Sequence, residues 1–223
     1  IWKIMAIESS FKNMVITLFT VCLVASAALG GIYAVTQEPI AAAQTAKINA
    51  AIGGVVPEFN NAPSEEKYTV DVDGKVATIY PAKKDGQIVG YAVEASTSKG
   101  FGGTIIVMVG FTPEGAIVNT SVISHAETPG LGAKIDDATS HFITQFNGRN
   151  PGEKGLVVTK DGGDIDAITA STITSRAYCD VVENAYKAFA KAAAADAASK
   201  EVPAEQAEAE VTETNASEEA QVK

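Results

Sequence analysis

Hydrophobic positions along this chain change their spacing three times, and each change marks a different kind of element. Met14 to Val35 (MVITLFTVCLVASAALGGIYAV) runs for 22 residues without a formal charge. As a helix it would cover roughly 30 Å, the thickness of a bilayer's hydrocarbon core. A secretory signal peptide is the other reading, with Ala25-Ser26-Ala27 as a cleavage-like run. Signal cores are ordinarily only about 7–15 residues, so the length favours a retained anchor. Trp2 and Tyr33 suit its two interfaces, Lys3 and Lys12 precede it, and Glu38 is the first charge after it. The positive-inside rule then places residues 1–13 in the cytoplasm and the bulk of the chain outside. The chain opens at Ile1 rather than Met, so its start is expected to lie upstream.

Beyond Pro39, apolar positions Ile40, Ala43, Ile48, Ile52 and Val55 predict a juxtamembrane helix over 40–56, stopped by Gly53-Gly54 and Pro57. A polar connection over 60–66 follows. From Tyr68 the pattern becomes short β-like runs: 68–72, 76–80, 88–94, 104–111 and 117–124. Asp73-Gly74, Asp85-Gly86 and Glu114-Gly115 separate them, and Asp-Gly is a strong hairpin signal. Residues 136–146 read as a helix ended by Asn147-Gly148, and 156–159 as a last short strand. Ser171 to about Ala198 reads as a long helix with Ala177, Val181, Ala185 and Phe189 on one stripe. Strands followed by helices, without βαβ alternation, predict an α+β fold built on an antiparallel sheet with flanking helices.

Composition and charge refine this division. The formal net charge is −10, of which the segment 201–223, with seven Glu and one Lys, supplies −6. That tail has no aromatic residue and reads as disordered or marginally helical. The acidic balance argues against nucleic-acid binding, which needs a basic footprint. Two Cys and two His make a zinc site or haem attachment implausible. Cys22 lies in the apolar segment, so Cys179 stands alone outside it; Val182 and Tyr186 follow at helical spacing, as for a small core residue.

Three segments could carry chemistry. Asp166 to Arg176 (DAITASTITSR) places five hydroxyls, Thr169, Ser171, Thr172, Thr174 and Ser175, at the start of the long helix. One or two would serve as N-caps. The free first-turn N–H groups and Arg176 one turn later would equally suit a phosphate group. The second segment is Ser124 to Lys134 (SHAETPGLGAK), directly after a strand. Its Pro-Gly turn explains Pro129 and Gly130 but not His125 and Glu127, and Gly130 and Gly132 would let backbone approach a flat ligand. No Gly-x-Ser-x-Gly elbow accompanies His125, which removes a serine-hydrolase reading. His141 reads as a surface residue. The third is the loop Gly100-Phe101-Gly102-Gly103, which lacks the Gly-Lys-Ser/Thr of a Walker motif.

Together the anchor, the Gly100–Gly103 loop, the His125–Gly132 run HAETPGLG and the Thr169–Ser175 hydroxyls resemble the FMN-binding G subunits of Rnf electron-transport complexes. They are also similar to the homologous C subunits of sodium-pumping NADH:quinone reductases. The resemblance spans most of residues 14–190. In those families the helix-start motif usually reads Ser-Gly-Ala-Thr, and its final Thr carries FMN through a phosphoester. The matching residues here are Thr169-Ala170-Ser171-Thr172, so the resemblance implies Thr172 as the attachment point, with an extra hydroxyl beside it at Ser171. It further implies a flavin site formed by Thr169 to Arg176 (with Ile173, Thr174 and Ser175), by His125, Glu127, Thr128, Pro129, Gly130, Leu131, Gly132 and Lys134, and by Gly100, Phe101, Gly102 and Gly103. No metal is implied.

The resemblance implies an electron carrier in a bacterial cytoplasmic membrane, relaying electrons between ferredoxin and NAD⁺ with coupled ion transport. Partner subunits would supply iron–sulfur clusters, other flavins and the ion path, and a flavin transferase drawing on FAD would install the cofactor. The domains expected are a cytoplasmic terminus over 1–13, a membrane helix over 14–35, a connection over 36–66, a covalent FMN domain over 67–199 and the tail over 200–223. The quinone-reductase subunit and a membrane-anchored module binding a non-covalent anion are the two alternatives.

Overall fold

A computed structural model describes residues 11–137 and 139–200, with side chains as far as Asp196; Trp2, Lys3 and the acidic tail lie outside the described residues. The chain divides into two units, residues 1–48 and 49–223. Helix α1 (Phe11–Val55) supplies the first, where it exposes Leu18, Phe19, Leu23, Leu29 and Ile32; its last residues, from Asn49, belong to the second. It is long and apolar enough to cross a membrane. Contrary to the expected break at Pro39, α1 runs through it. A proline removes a single intrahelical bond, which a helix of this length can absorb with a bend.

The second unit is built on a five-stranded antiparallel meander in the order β1-β2-β3-β4-β5. Its strands are β1 (Tyr68–Val72), β2 (Lys75–Lys84), β3 (Gln87–Thr97), β4 (Ile105–Phe111) and β5 (Ile117–Ser124). The first two hairpins turn on Asp73-Gly74 (φ 54° and 75°) and Asp85-Gly86 (φ 52° and 81°). Two consecutive left-handed residues match the right-handed twist of the flanking strands, which is why Asp-Gly marks both. The strand β2 continues past the expected Tyr80, through Pro81 and a bulge at Ala82/Lys83.

Alternation along the strands gives the sheet two buried faces. On one, Ile79, Tyr91, Val93, Val107, Val109 and Phe111 pack under helix α3 (Thr172–Lys200). Phe189 stacks on Phe111 with centroids 4.9 Å apart, and the buried Tyr178 hydroxyl donates to Thr120 at 2.8 Å. On the other lie the buried Tyr80, Ala82, Ala92 and Met108, and the last turn of α1, with Ile52 and Val55 buried, brings Val55 against Gly110. Gly110 makes this approach possible, since a Cβ there would lie 1.7 Å from the Val55 carbonyl oxygen.

Two other expectations are corrected. Residues 136–146 are not one helix but a 3₁₀ turn, Gly132–Asp136, followed by a single turn, α2 (His141–Thr144). Asp137 Oδ1 accepts from both the amide and the hydroxyl of Thr139, at 2.9 and 2.7 Å, and this local bonding competes with helix propagation. Residues 156–159 form no full strand; Val158 bridges Ile165 alone. The chain instead folds back through Gly162 and Gly163, a Cβ at the latter falling 1.9 Å from the Val157 carbonyl oxygen.

That fold-back loop is held by Asp164, which accepts from Arg149 at 2.7 Å and Lys154 at 2.9 Å. Hydrogen bonds from Arg149 and then Lys154, outweighing desolvation, bring its carboxyl down to about 2. A depressed carboxylate stabilises the fold fully above its unfolded value of about 4 and loses that contribution as pH falls through it toward the folded value. Thermal midpoints measured from pH 5 to 2 should therefore fall less steeply in Asp164→Asn than in the wild type.

Candidate functional site

The five hydroxyls at the start of α3 divide into distinct roles. Ser175 is fully buried; its Oγ accepts the Ile168 amide at 2.9 Å and donates to the Ser171 carbonyl at 2.9 Å. It thereby fastens the turn that leads into the helix. Thr174, 1% exposed, donates to Glu127 Oε2 at 2.6 Å. Ser171, the residue before the helix, is buried, while Thr169 is exposed. Thr172 is half-buried, and its Oγ1 receives a hydrogen bond from Lys160 Nζ at 3.0 Å. The amides of Thr172, Ile173 and Thr174 open the helix and have no intrahelical acceptor, so they form the positive end of a 29-residue dipole.

Ala170 enters this turn at φ 61°. A left-handed conformation costs a residue with a Cβ about 1–2 kcal/mol, part of which glycine would return as unfolded-state entropy. Ala170→Gly is expected to raise stability by about 0.5–1 kcal/mol, read from a denaturation curve. Glycine is also what the motif usually carries at this place in the families that the chain resembles.

Glu127 joins the three segments singled out in the sequence. It is 5% exposed, and its Oε1 accepts the Gly102 amide at 3.0 Å while Oε2 takes the Thr174 hydroxyl. The glycines around it make room for protein. A Cβ at Gly102 would sit 1.9 Å from the Ala126 carbonyl oxygen. One at Gly132 would sit 2.6 Å from Glu127 Oε2, and one at Gly100 2.6 Å from Oε1. Gly130 serves the turn itself, at φ 76°.

The space beside this junction is a cleft of about 360 Å³. One wall is Phe101 with Glu127, Thr128, Leu131 and Gly132; the other is the α3 start from Ala170 to Thr174. Phe101, Ile173 and Leu131 stand around it 69%, 51% and 44% exposed. Three large apolar side chains left in water beside one opening suit a flat aromatic ligand. The nearby helix N-terminus and the Lys160 ammonium suit its phosphate. The donor set therefore fits FMN.

Other residues expected at the site lie outside that cleft. His125 Nδ1 accepts the Glu127 amide at 3.1 Å, and its Nε2 stands 3.9 Å from Asp136. Lys134, in the 3₁₀ turn, and Pro129 are exposed. Gly103, at φ 122°, closes the loop between β3 and β4. The Arg176 guanidinium is taken by Asp161, with Nε–Oδ2 at 2.6 Å and Nη2–Oδ1 at 2.7 Å. That hydrogen bond holds the Asp161 carboxyl below its ordinary range. Arg176 lines a neighbouring cleft with Lys99, Val157 and Asp180. Lys160 was not anticipated from the sequence, because its approach to Thr172 depends on how the 157–165 loop folds back. Burial, followed by the charge of Glu183, pushes the Cys179 thiol up to about 12, as befits a packing residue rather than a nucleophile.

The FMN-binding domain family matches residues 100–187, which contain all three segments. The chain is 36% identical over 168 residues to the G subunit of the ion-translocating oxidoreductase complex of Haemophilus influenzae strain PittEE, covering 70% of this chain and 77% of that protein. The G subunit from Aliivibrio fischeri is 34% identical over 184 residues, covering 78% and 87%. The corresponding protein of Vibrio cholerae strain O395 is 33% identical over 162 residues, covering 69% and 78%. With the cleft inside the matched segment, and agreement over most of these relatives' length, the chain belongs to the G-subunit family of ion-translocating oxidoreductase complexes.

Proposed function

We propose that this chain is the electron-carrying G subunit of an Rnf-type complex and holds FMN covalently, as a phosphoester of Thr172. The observation that carries the reading is the division of the hydroxyls. Thr174 and Ser175 are committed to the fold, whereas Thr172 lines the cleft beside the open helix N-terminus and receives the Lys160 ammonium. A phosphodiester keeps one negative charge, which the first-turn amides and Lys160 would stabilise. Phe101, Leu131 and Ile173 would cover the apolar ring system and limit its access to water.

When bound, FMN supplies the one- and two-electron redox chemistry that no side chain of this domain offers. The protein's part is to fix the phosphate end and to press apolar side chains on the ring. Glu127, buried and ringed by Gly100, Gly102 and Gly132, keeps the two walls of the cleft together. A covalent tether suits a carrier on the outer side of a membrane, where a dissociated cofactor would be lost.

The wider reading follows from the same assignment. Residues 14–35 would cross the bacterial cytoplasmic membrane once, with 1–13 inside and the flavin domain, 67–199, outside; 36–66 would connect the two. Sister subunits with iron–sulfur clusters and other flavins would pass electrons between ferredoxin and NAD⁺, and a transferase would attach FMN from FAD. The test is a denaturing gel of the chain produced with and without that transferase. Flavin fluorescence should travel with the unfolded band only when the transferase is present. A dark band in both lanes would refute covalent attachment.

A further inference from the structure

The cation nearest the attachment oxygen is not Arg176, one turn into the helix, but Lys160, twelve positions earlier in the chain. Its Nζ lies 3.0 Å from Thr172 Oγ1. Its backbone position is closely determined. Thr159–Asp161 is a 3₁₀ turn at the tip of the loop closed by Thr159 N–H to the Ile165 carbonyl at 2.9 Å and Asp164 N–H to the Val157 carbonyl at 3.1 Å. The next residue, Asp161, is locked to α3 through both its carboxylate oxygens by Arg176. A bidentate pair of this kind fixes direction as well as distance, so the loop tip is pinned to the helix that carries Thr172.

Resting on the reading that Thr172 carries FMN, we infer that Lys160 is the positioning residue of the attachment step and the counter-charge of the phosphodiester it creates. In that step Thr172 Oγ bonds to the phosphorus of the flavin mononucleotide half of FAD. The phosphoanhydride bond breaks, adenosine monophosphate leaves, and the hydroxyl proton passes to solvent. An ammonium donating to Oγ occupies one lone pair, which orients the other, and it stabilises the oxygen as its proton departs. In the product the same ammonium faces the phosphodiester anion, together with the amides of the helix start. Arg176 meanwhile serves the loop, through Asp161, and not the phosphate.

The experiment uses the full-length chain produced without transferase, solubilised in detergent and then supplied with transferase and FAD. Wild type, Lys160→Gln and Lys160→Arg are followed by in-gel flavin fluorescence against time, with thermal midpoints confirming that all three are folded. Lys160 is exposed, so its replacement should leave the midpoint unchanged. Lys160→Gln should be labelled about tenfold more slowly than wild type, and Lys160→Arg should recover most of the rate. The ³¹P resonance of the labelled protein should move in Lys160→Gln and stay near the wild-type position in Lys160→Arg. Labelling of Lys160→Gln at the wild-type rate, equal slowing in both variants, or an unmoved ³¹P resonance would each overturn the inference while Thr172 stands as the labelled residue. Wild-type label mapped to another residue would instead remove the reading beneath it, and the inference with it.

Discussion

Thr172→Ala should yield a folded chain with no covalently held flavin, the largest functional change expected from any single substitution here. Thr172 makes one side-chain hydrogen bond, from an exposed lysine, and its Oγ does not cap the helix. Removing it should alter stability by no more than about 0.5 kcal/mol, as for a surface substitution. The neighbouring hydroxyls are less available for attachment: Ser171, on the same cleft wall, is only 8% exposed, Thr174 donates to Glu127, and Ser175 fastens the Ile168–Ser171 turn. The ratio of flavin absorbance to protein after denaturation and gel filtration reads the loss, and circular dichroism reads the fold. Retention of bound flavin in Thr172→Ala, with its disappearance in Ser171→Ala, would move the attachment point by one residue.

Glu127→Ala should produce the largest loss of stability at the site. The carboxylate is buried and serves two donors, the Gly102 amide and the Thr174 hydroxyl, which would both lose their acceptor. Hydrogen bonds to a charged group contribute about 1.5–3 kcal/mol, and buried donors left unsatisfied are expensive, so a loss of about 3 kcal/mol is expected. The removed side chain also leaves a void among Gly100, Gly102 and Gly132, whose lack of Cβ atoms is fitted to it. Glu127→Gln keeps the volume and one acceptor oxygen, so its loss should be about half as large. Urea denaturation of the detergent-solubilised chain separates the two. An Ala variant no less stable than the Gln variant would show that Glu127 does not join these segments.

Much of this arrangement was legible in the sequence, for identifiable reasons. The hairpins were marked because Asp-Gly supplies two left-handed residues in succession, and α3 because Ala177, Val181, Ala185 and Phe189 recur every four residues. The three segments around the cleft were visible as runs of residues that ordinary turns and caps do not require. Local pattern failed where side chains compete with backbone or where distant parts meet. Asp137 bonding to Thr139 breaks the helix that the apolar positions of 136–146 suggest. The part that Gly102 and Gly132 play in seating Glu127 could not be inferred, because the Ala126–Glu127 backbone and the Glu127 side chain that a Cβ at either would meet come from a distant or folded-back segment. Arg176 looked like the phosphate cation from spacing along the helix, yet its guanidinium is engaged by Asp161, and Lys160 reaches Thr172. Only the folded loop distinguishes those two cations.

Mapping the flavin adduct to a single residue tests the assignment of Thr172 most directly. Trypsin cuts after Lys160 and Arg176, so one peptide, residues 161–176, contains all five hydroxyls of the cluster. Tandem mass spectrometry of that peptide, from the chain matured with its transferase, should place a flavin mononucleotide adduct on Thr172. An unmodified peptide, or an adduct fragmenting to Ser171 or Thr169, would show that Thr172 does not bear the flavin.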